Sequence, residues 1–292
     1  MLSLVCRLIA RLPLSVLRAL GALLGLLVYA ASAGYRGRLR ANLARAGHPR
    51  SMRLRAAREA GVTAAELPWI WFRPSRQTLA RVRCLDHSAL SEGLAAGRGV
   101  LLLTPHLGGF EVTPRWLASL GPITIIYRQA RQPALERLLK AARNQSAMAA
   151  APAGLGGLRA MRRALQRGEM VGLLPDQVPG AGDGRWAPFL GAPAYTMTLP
   201  QRLVAVSGAT VVLVSSQRRP GGWELRFARF QGEPTPEAVN RAMEDLIGEC
   251  PAQDLWSYNR FKQPAGAPAA ADLPAGAAAA AAADAADPAA RP

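Results

Sequence analysis

Four short apolar runs constrain this chain more than any other feature: Val100–Leu103, Ile123–Tyr127, residues 170–174 and residues 210–216. Runs of this length, bounded by glycine and proline, read as strands buried on both faces. Amphipathic stretches separate them. Residues 113–120 follow a Thr113-Pro114 start. Residues 133–143 carry apolar Leu135, Leu138 and Leu139. A helix runs from the glycine-rich turn at 154–157 to Arg167, where Gly168 reads as its stop, and another covers residues 198–206. Alternation at this pitch implies right-handed βαβ units. The expected fold class is α/β, a largely parallel central sheet flanked by helices.

Outside that core the elements are simpler. Residues 51–72 predict a helix ending near Pro68 and the aromatics Trp69, Trp71 and Phe72, which suit either a membrane interface or the core. Residues 81–85 read as a short strand, and Asp86 as the cap of the helix after it. Residues 223–230, after Pro220-Gly221-Gly222, look like an antiparallel edge partner, and Thr235-Pro236-Glu237 opens the last clear helix. The stretch 178–195, rich in glycine and proline, reads as a long loop, and long ordered loops in compact domains usually carry function.

From Leu12 to Gly34 the chain is apolar apart from Arg18, long enough to reach the roughly 20 residues a bilayer crossing needs. A cleaved signal is the rival reading, with Arg7 and Arg11 before the apolar stretch and Ala31-Ser32-Ala33 after it. Arg36, Arg38, Arg40 and Arg45 follow at once, which favours an uncleaved anchor with the body on the cytoplasmic side. The organisation expected is an N-terminal membrane-anchoring helix (residues 1–35), a main domain (36–263) and an Ala/Pro-rich tail (264–292) too poor in aromatics to bury a core.

The formal net charge is +17, and only Lys140 and Lys262 are lysines. Such an arginine excess favours anionic partners: an anionic membrane surface, phosphorylated lipid or an acidic carrier protein. Nucleic acid is disfavoured, because the arginines are dispersed and no zinc-finger, basic-zipper or RNA-recognition signature is present. Cys6, Cys84 and Cys250 are far apart and odd in number, so no disulfide framework is indicated. His48, His87 and His106 contain no ligand-spaced pair, so no metal is expected.

Chemistry concentrates after the first core run, in Thr104-Pro105-His106-Leu107-Gly108-Gly109-Phe110-Glu111. His106 falls at a strand's C-terminal end, where open α/β sheets bind ligands. On a continuous helix five positions would swing Glu111 about 140° from His106, so the two can meet only across the bend Gly108-Gly109 supplies. A neutral imidazole accepts a hydroxyl proton near neutral pH, and a carboxylate on its other nitrogen fixes the tautomer. His106 and Glu111 are therefore a candidate base and orienter; the alternative is a structural histidine and a carboxylate at a helix start.

Taken together the motifs resemble the lipid A biosynthesis lauroyl/myristoyl acyltransferase family, within the wider lysophospholipid acyltransferase superfamily. The matches occur in the family's order: His106 to Glu111, Tyr127-Arg128, Leu173-Leu174-Pro175-Asp176-Gln177, Pro188-Phe189-Leu190-Gly191 and Arg260-Phe261-Lys262. Two departures, Gln129-Ala130-Arg131 after Tyr127-Arg128 and Tyr258-Asn259 before Arg260, bear on the acceptor more than on the chemistry. The resemblance implies a membrane-bound enzyme, without cofactor, moving a fatty acyl chain from an acyl carrier protein thioester, or from coenzyme A, to a hydroxyl of a phosphorylated lipid A precursor. Its place would be the inner membrane. Other lipid acceptors, or a non-catalytic protein tethered to anionic lipid, are the alternatives.

Within that reading His106 is the general base and Glu111 its orienter. The backbone N–H groups of Gly108 and Gly109, or the Arg128 guanidinium, are candidate oxyanion donors; Arg128 equally suits an acceptor phosphate. Asp176 either holds the site by hydrogen bonds or touches substrate, with Gln177 beside it. Arg260 either meets the carrier or a lipid phosphate, or is a solvated charge after the last helix.

Overall fold

Hydrogen bonds between the core runs assemble one seven-stranded sheet. The computed structural model describes residues 2–127, 132–143 and 147–270. Its strands are β1 (Val82–Cys84), β2 (Val100–Leu103), β3 (Ile123–Tyr127), β4 (Met148–Pro152), β5 (Met170–Leu173), β6 (Gly184–Phe189), β7 (Ala192–Met197), β8 (Thr210–Arg219) and β9 (Gly222–Arg229). The order across the sheet is β1-β9-β8-β2-β5-β3-β4, and β6 and β7 form a separate hairpin. The five strands from β8 to β4 are parallel, β9 runs antiparallel to β8, and β1 pairs parallel with β9. The largely parallel sheet flanked by helices is thus present.

The helices are α1 (Leu2–Ile9), α2 (Leu14–Ala31), α3 (Ala33–Arg45), α4 (Met52–Phe72), α5 (Ser75–Leu79), α6 (Ser88–Ala95), α7 (Val112–Leu117), α8 (Pro133–Arg143), α9 (Leu155–Gln166), α10 (Leu199–Ser207) and α11 (Pro236–Glu249). β2 is buried at every position because apolar layers cover both sheet faces. Leu101 and Leu103 join the layer with Met161, Leu165, Leu203 and Met243; Leu102 joins the opposite layer with Leu90, Leu117 and Val212. Asp86 accepts from the Ser88 N–H at 2.8 Å, and Thr235 Oγ1 from the Ala238 N–H at 3.3 Å, as those sequence positions anticipate.

Three readings change. β9 is not the edge, because β1 pairs outside it. The expected loop 178–195 folds as the β6–β7 hairpin, whose turn places Leu190 at φ 48° and Gly191 at φ 73°; Glu244 Oε1 accepts from the Leu190 N–H at 2.6 Å and holds this left-handed turn. The tail is packed as far as residue 270: Trp186 Nε1 donates to the Pro268 carbonyl at 2.8 Å and Ala267 is buried beside Trp186 and Tyr195. Residues 271–292 lie outside the described residues.

The apolar N-terminal helix α2 is the candidate membrane anchor, with a mean hydropathy of 1.9. One face, including Leu14, Leu17, Gly21 and Gly25, is buried. The other leaves Val16, Leu20, Leu23, Leu24, Leu27 and Val28 exposed. Glycines set how close α2 and α4 approach: a Cβ on Gly61 would lie 2.1 Å from the Gly21 carbonyl oxygen. Arg18, the charge inside this apolar helix, points inward, donating to Glu66 Oε1 at 2.6 Å, the Arg219 carbonyl at 2.7 Å and the Gly222 carbonyl at 2.8 Å. Replacing Gly61 by alanine should lower the unfolding free energy by about 1–3 kcal/mol, because backbone must move to admit one methyl. Denaturant unfolding of the purified chain measures it.

Candidate functional site

Register builds the centre of the site. β2 and β5 pair with Leu103 opposite Leu173, and each strand continues for two residues to a proline. Leu103-Thr104-Pro105-His106 therefore runs beside Leu173-Leu174-Pro175-Asp176. His106 and Asp176 stand the same distance past a matched pair. Proline cannot donate to a ladder, so pairing ends and the two side chains turn toward each other.

Asp176 holds His106 twice. Its Oδ2 accepts from the His106 backbone N–H at 2.7 Å, and its Oδ1 from the imidazole Nδ1 at 2.7 Å. That assigns the proton to Nδ1 and leaves Nε2 as the basic nitrogen. The Gln177 amide nitrogen lies 3.1 Å from Nε2 and donates to it. Phe110 packs on the imidazole, ring centroids 4.8 Å apart.

Burial by itself depresses the His106 pKa, but the charges of Asp176, Asp254 and Glu111 outweigh it and leave the pKa above the ordinary value. Burial likewise favours a protonated Asp176, and the His106 imidazole reverses this, holding the carboxyl below its usual range. Asp254 goes the other way: burial and the neighbouring Asp176 push it up to about 8, against the opposing effect of His106. Asp176 therefore keeps its negative charge to lower pH than Asp254 does, and it is Asp176 that bonds the imidazole.

Glu111 is not the partner of His106. It is buried at the start of α7, with Oε1 paired to Arg143 and Oε2 accepting from Trp71 Nε1 at 3.0 Å. The glycine bend is present but turns Glu111 toward α4 and α8, while Asp176 occupies Nδ1. Glu111 acts on His106 only as a nearby charge.

The oxyanion expectation for Gly108 and Gly109 is also corrected. The Gly108 N–H donates to the Gln253 carbonyl at 3.0 Å and the Gly109 N–H to the Ser216 carbonyl at 2.9 Å, so both are already engaged. These glycines serve close packing. Gly108 has φ 57° and a Cβ there would lie 2.2 Å from the Ser216 carbonyl oxygen; on Gly109 it would lie 2.1 Å from the Trp223 indole.

Arg260 is neither a solvated charge nor a free phosphate ligand. It is 4% exposed, donating to the Tyr195 carbonyl at 2.7 Å, Thr196 Oγ1 at 2.7 Å and Asn240 Oδ1 at 3.1 Å, which locks the β6–β7 hairpin to α11. Burial lowers its pKa to about 10. Arg128 lies outside the described residues.

Two cavities flank this centre. One of about 70 Å³ is lined by His106, Asp176, Gln177, Asp254 and Trp256. The other, about 50 Å³ and mostly apolar, runs from Phe110, Glu111 and Arg143 toward Leu117, Ile123 and Val214 in the core. Arg143 is the residue sequence reasoning passed over. It ends α8, pairs with Glu111, and keeps its buried Nε without a partner at the cavity wall.

The His106 imidazole is held in one tautomer with its opposite nitrogen turned to one cavity and a second, apolar cavity alongside, a geometry that suits proton acceptance. The chain belongs to the bacterial lipid A biosynthesis acyltransferase family, whose model matches residues 2–263. It is an acyltransferase. Among curated relatives, the lipid A biosynthesis lauroyltransferase of Escherichia coli K12 is 26% identical over 231 residues, 75% of each chain. The palmitoleoyltransferase of the same strain is 28% identical over 221 residues, 72% of this chain and 71% of its own. A Haemophilus influenzae lipid A biosynthesis acyltransferase is 24% identical over 182 residues, 59% and 56%.

Asp176→Asn should shift the acid limb of the pH–rate profile to lower pH, since removing the countercharge lets burial pull the imidazole pKa down. It should also cost on the order of 10²-fold in rate through the lost tautomer. A profile of kcat/KM from pH 5 to 9 reads both. Arg260→Ala should lower stability on the order of 3 kcal/mol by orphaning buried acceptors; thermal unfolding checks it, and a surface arginine would give no change.

Proposed function

We propose that the chain transfers a fatty acyl group from an acyl carrier protein thioester to a hydroxyl of a phosphorylated lipid A precursor, with His106 as general base. The observation that carries the mechanism is the doubly held His106, its Nε2 presented to the cavity. Family membership and the relatives' names supply the lipid A acceptor.

An acceptor hydroxyl displaces the Gln177 amide from Nε2 and loses its proton there as its oxygen attacks the thioester carbonyl. Asp176 balances the imidazolium that forms. Carbon–sulfur cleavage then releases the thiolate, which takes the proton back from Nε2, leaving an ester and a free thiol. A thioester is already activated, so no serine or cysteine nucleophile is needed. With the glycine N–H groups engaged, the Arg143 guanidinium is the donor closest in kind to what a developing oxyanion needs. The apolar cavity beside it suits the start of an acyl chain.

The exposed apolar faces of α1 and α2 lie in the inner-membrane surface in this reading. The arginines after residue 34 keep the body, 36–263, on the cytoplasmic side. Residues 1–35 then act as anchor by lying against both bilayer and body.

His106→Ala should reduce acyl transfer by about 10²–10⁴-fold with little change in melting temperature. Purified protein is assayed with labelled acyl carrier protein or acyl coenzyme A against a panel of phosphorylated disaccharide lipids, lysophospholipids and glycolipids. Turnover on none of the disaccharide lipids, or undiminished turnover in the variant, rejects the reading. Mass spectrometry of membrane lipids from cells with and without the protein reports the transferred chain directly.

A further inference from the structure

A second opening, unconnected with His106, lies at the sheet edge on the same side as the strand ends. It is a groove of about 920 Å³ between the α1–α2 corner, the end of α4, β1 and the β8–β9 turn. That volume is within the range of small-ligand sites. Arg73, Arg81, Arg83 and Arg219 line it, against one carboxylate, Glu224.

The arginines differ in what they have to offer. Arg73 is fully engaged, donating to the Ala10 and Arg11 carbonyls and to Gln77. Arg219 uses one terminal nitrogen, Nη2, on Gln217 and Glu224. Arg81 uses Nη1 on the Gly221 carbonyl. Arg83 is exposed, and its side chain makes no hydrogen bond or ion pair among the described residues. Arg81 closes the turn before β1 and Arg83 stands within β1, and both line the groove. Charged residues on an edge strand also deter sheet-to-sheet pairing, which covers Arg83 in β1 but not Arg219 at the end of β8, on the opposite wall of the groove.

Two further features fix the chemistry of the occupant. Trp69 and Trp223 line the groove from the core side, and the Arg73 and Arg81 guanidinium groups each sit 5.6 Å from the Trp69 ring centroid. The rim includes Pro13 and Leu14, directly after exposed Leu12 and the exposed apolar residues Leu4, Val5 and Leu8 of α1. Exposed positive charge along the groove, with exposed apolar residues of α1 beside it, suits a molecule with an anionic head and hydrocarbon chains. An acidic carrier protein would meet a convex surface better than a recess of this kind.

We infer that this groove binds the phosphorylated headgroup of a lipid, gripped by Arg81, Arg83 and Arg219, with its chains against α1 and α2. The inference uses the reading of those helices as membrane-facing, not the acyl-transfer reading, and its test involves no turnover. Full-length protein in nanodiscs is compared in neutral phosphatidylcholine and with added phosphatidic acid, and short-chain phosphatidic acid is titrated into protein in neutral detergent. Saturable binding is expected, with Arg83→Glu weakening it by about tenfold or more, the loss of one charge-assisted contact. The charge-matched control Arg162→Glu, on the exposed side of α9, should bind as the parent does. Competition identifies the source: a phosphorylated disaccharide lipid that binds more tightly than phosphatidic acid marks the groove as an acceptor site, and the reverse marks it as a bilayer-lipid site. Indifference to phosphatidic acid, an equal loss in Arg162→Glu, displacement by inorganic phosphate at matching concentration, or an Arg83→Glu defect seen with acyl carrier protein but not with lipid overturns it.

Discussion

The structure depends on one carboxylate holding one histidine from two directions. Asp176 bonds the His106 backbone and its imidazole together, so ring orientation and loop position are set at once. It can do so because β2 and β5 are adjacent, parallel and paired Leu103 to Leu173. A shift of register by one residue would flip every side chain of one strand to the opposite face. Both apolar layers resist that shift, since β2 is buried on each side. Packing of the sheet is thus what places the His106 imidazole.

A second polar network ties the periphery to this centre. Glu66, fully buried in α4, meets Arg18 of α2 at 2.6 Å, Arg218 of β8 at 3.0 Å and the Trp223 indole N–H at 3.2 Å. Arg218 also donates to Thr63 Oγ1 at 2.8 Å and to the Gly108 carbonyl at 3.3 Å, in the loop that follows His106. Charges removed from water require this degree of partnering. Arg18, the one charge in an otherwise apolar helix, is the joint between that helix and the body.

Much of the fold was legible because short apolar runs and amphipathic helices carry their own period. β2, β3, β5 and β8 fall where those runs stand, and α8 matches its predicted span. β4 was missed because Met148-Ala-Ala-Ala-Pro152 offers alanine where strands usually show branched residues. The β6–β7 hairpin was hidden by its glycines and prolines. In the site, reasoning along the chain paired His106 with its sequence neighbour Glu111, whereas the true partner lies seventy residues away across a strand boundary. The signal was present in the repeated apolar-x-Pro endings at Pro105 and Pro175. Arg260 shows the limit: no local pattern announces that an arginine near a chain's end will be buried against Tyr195, Thr196 and Asn240.

The Gln177 amide resting on Nε2 has a consequence for selectivity. Both imidazole nitrogens are already hydrogen-bonded, so no solvent molecule enters at that nitrogen without evicting a carboxamide. A lone water that does so leaves the amide with little in exchange. An alcohol on a larger molecule brings further oxygens that can occupy the displaced amide while its hydroxyl takes the vacated nitrogen. In the proposed reaction this arrangement shields the thioester donor from hydrolysis until the acceptor arrives.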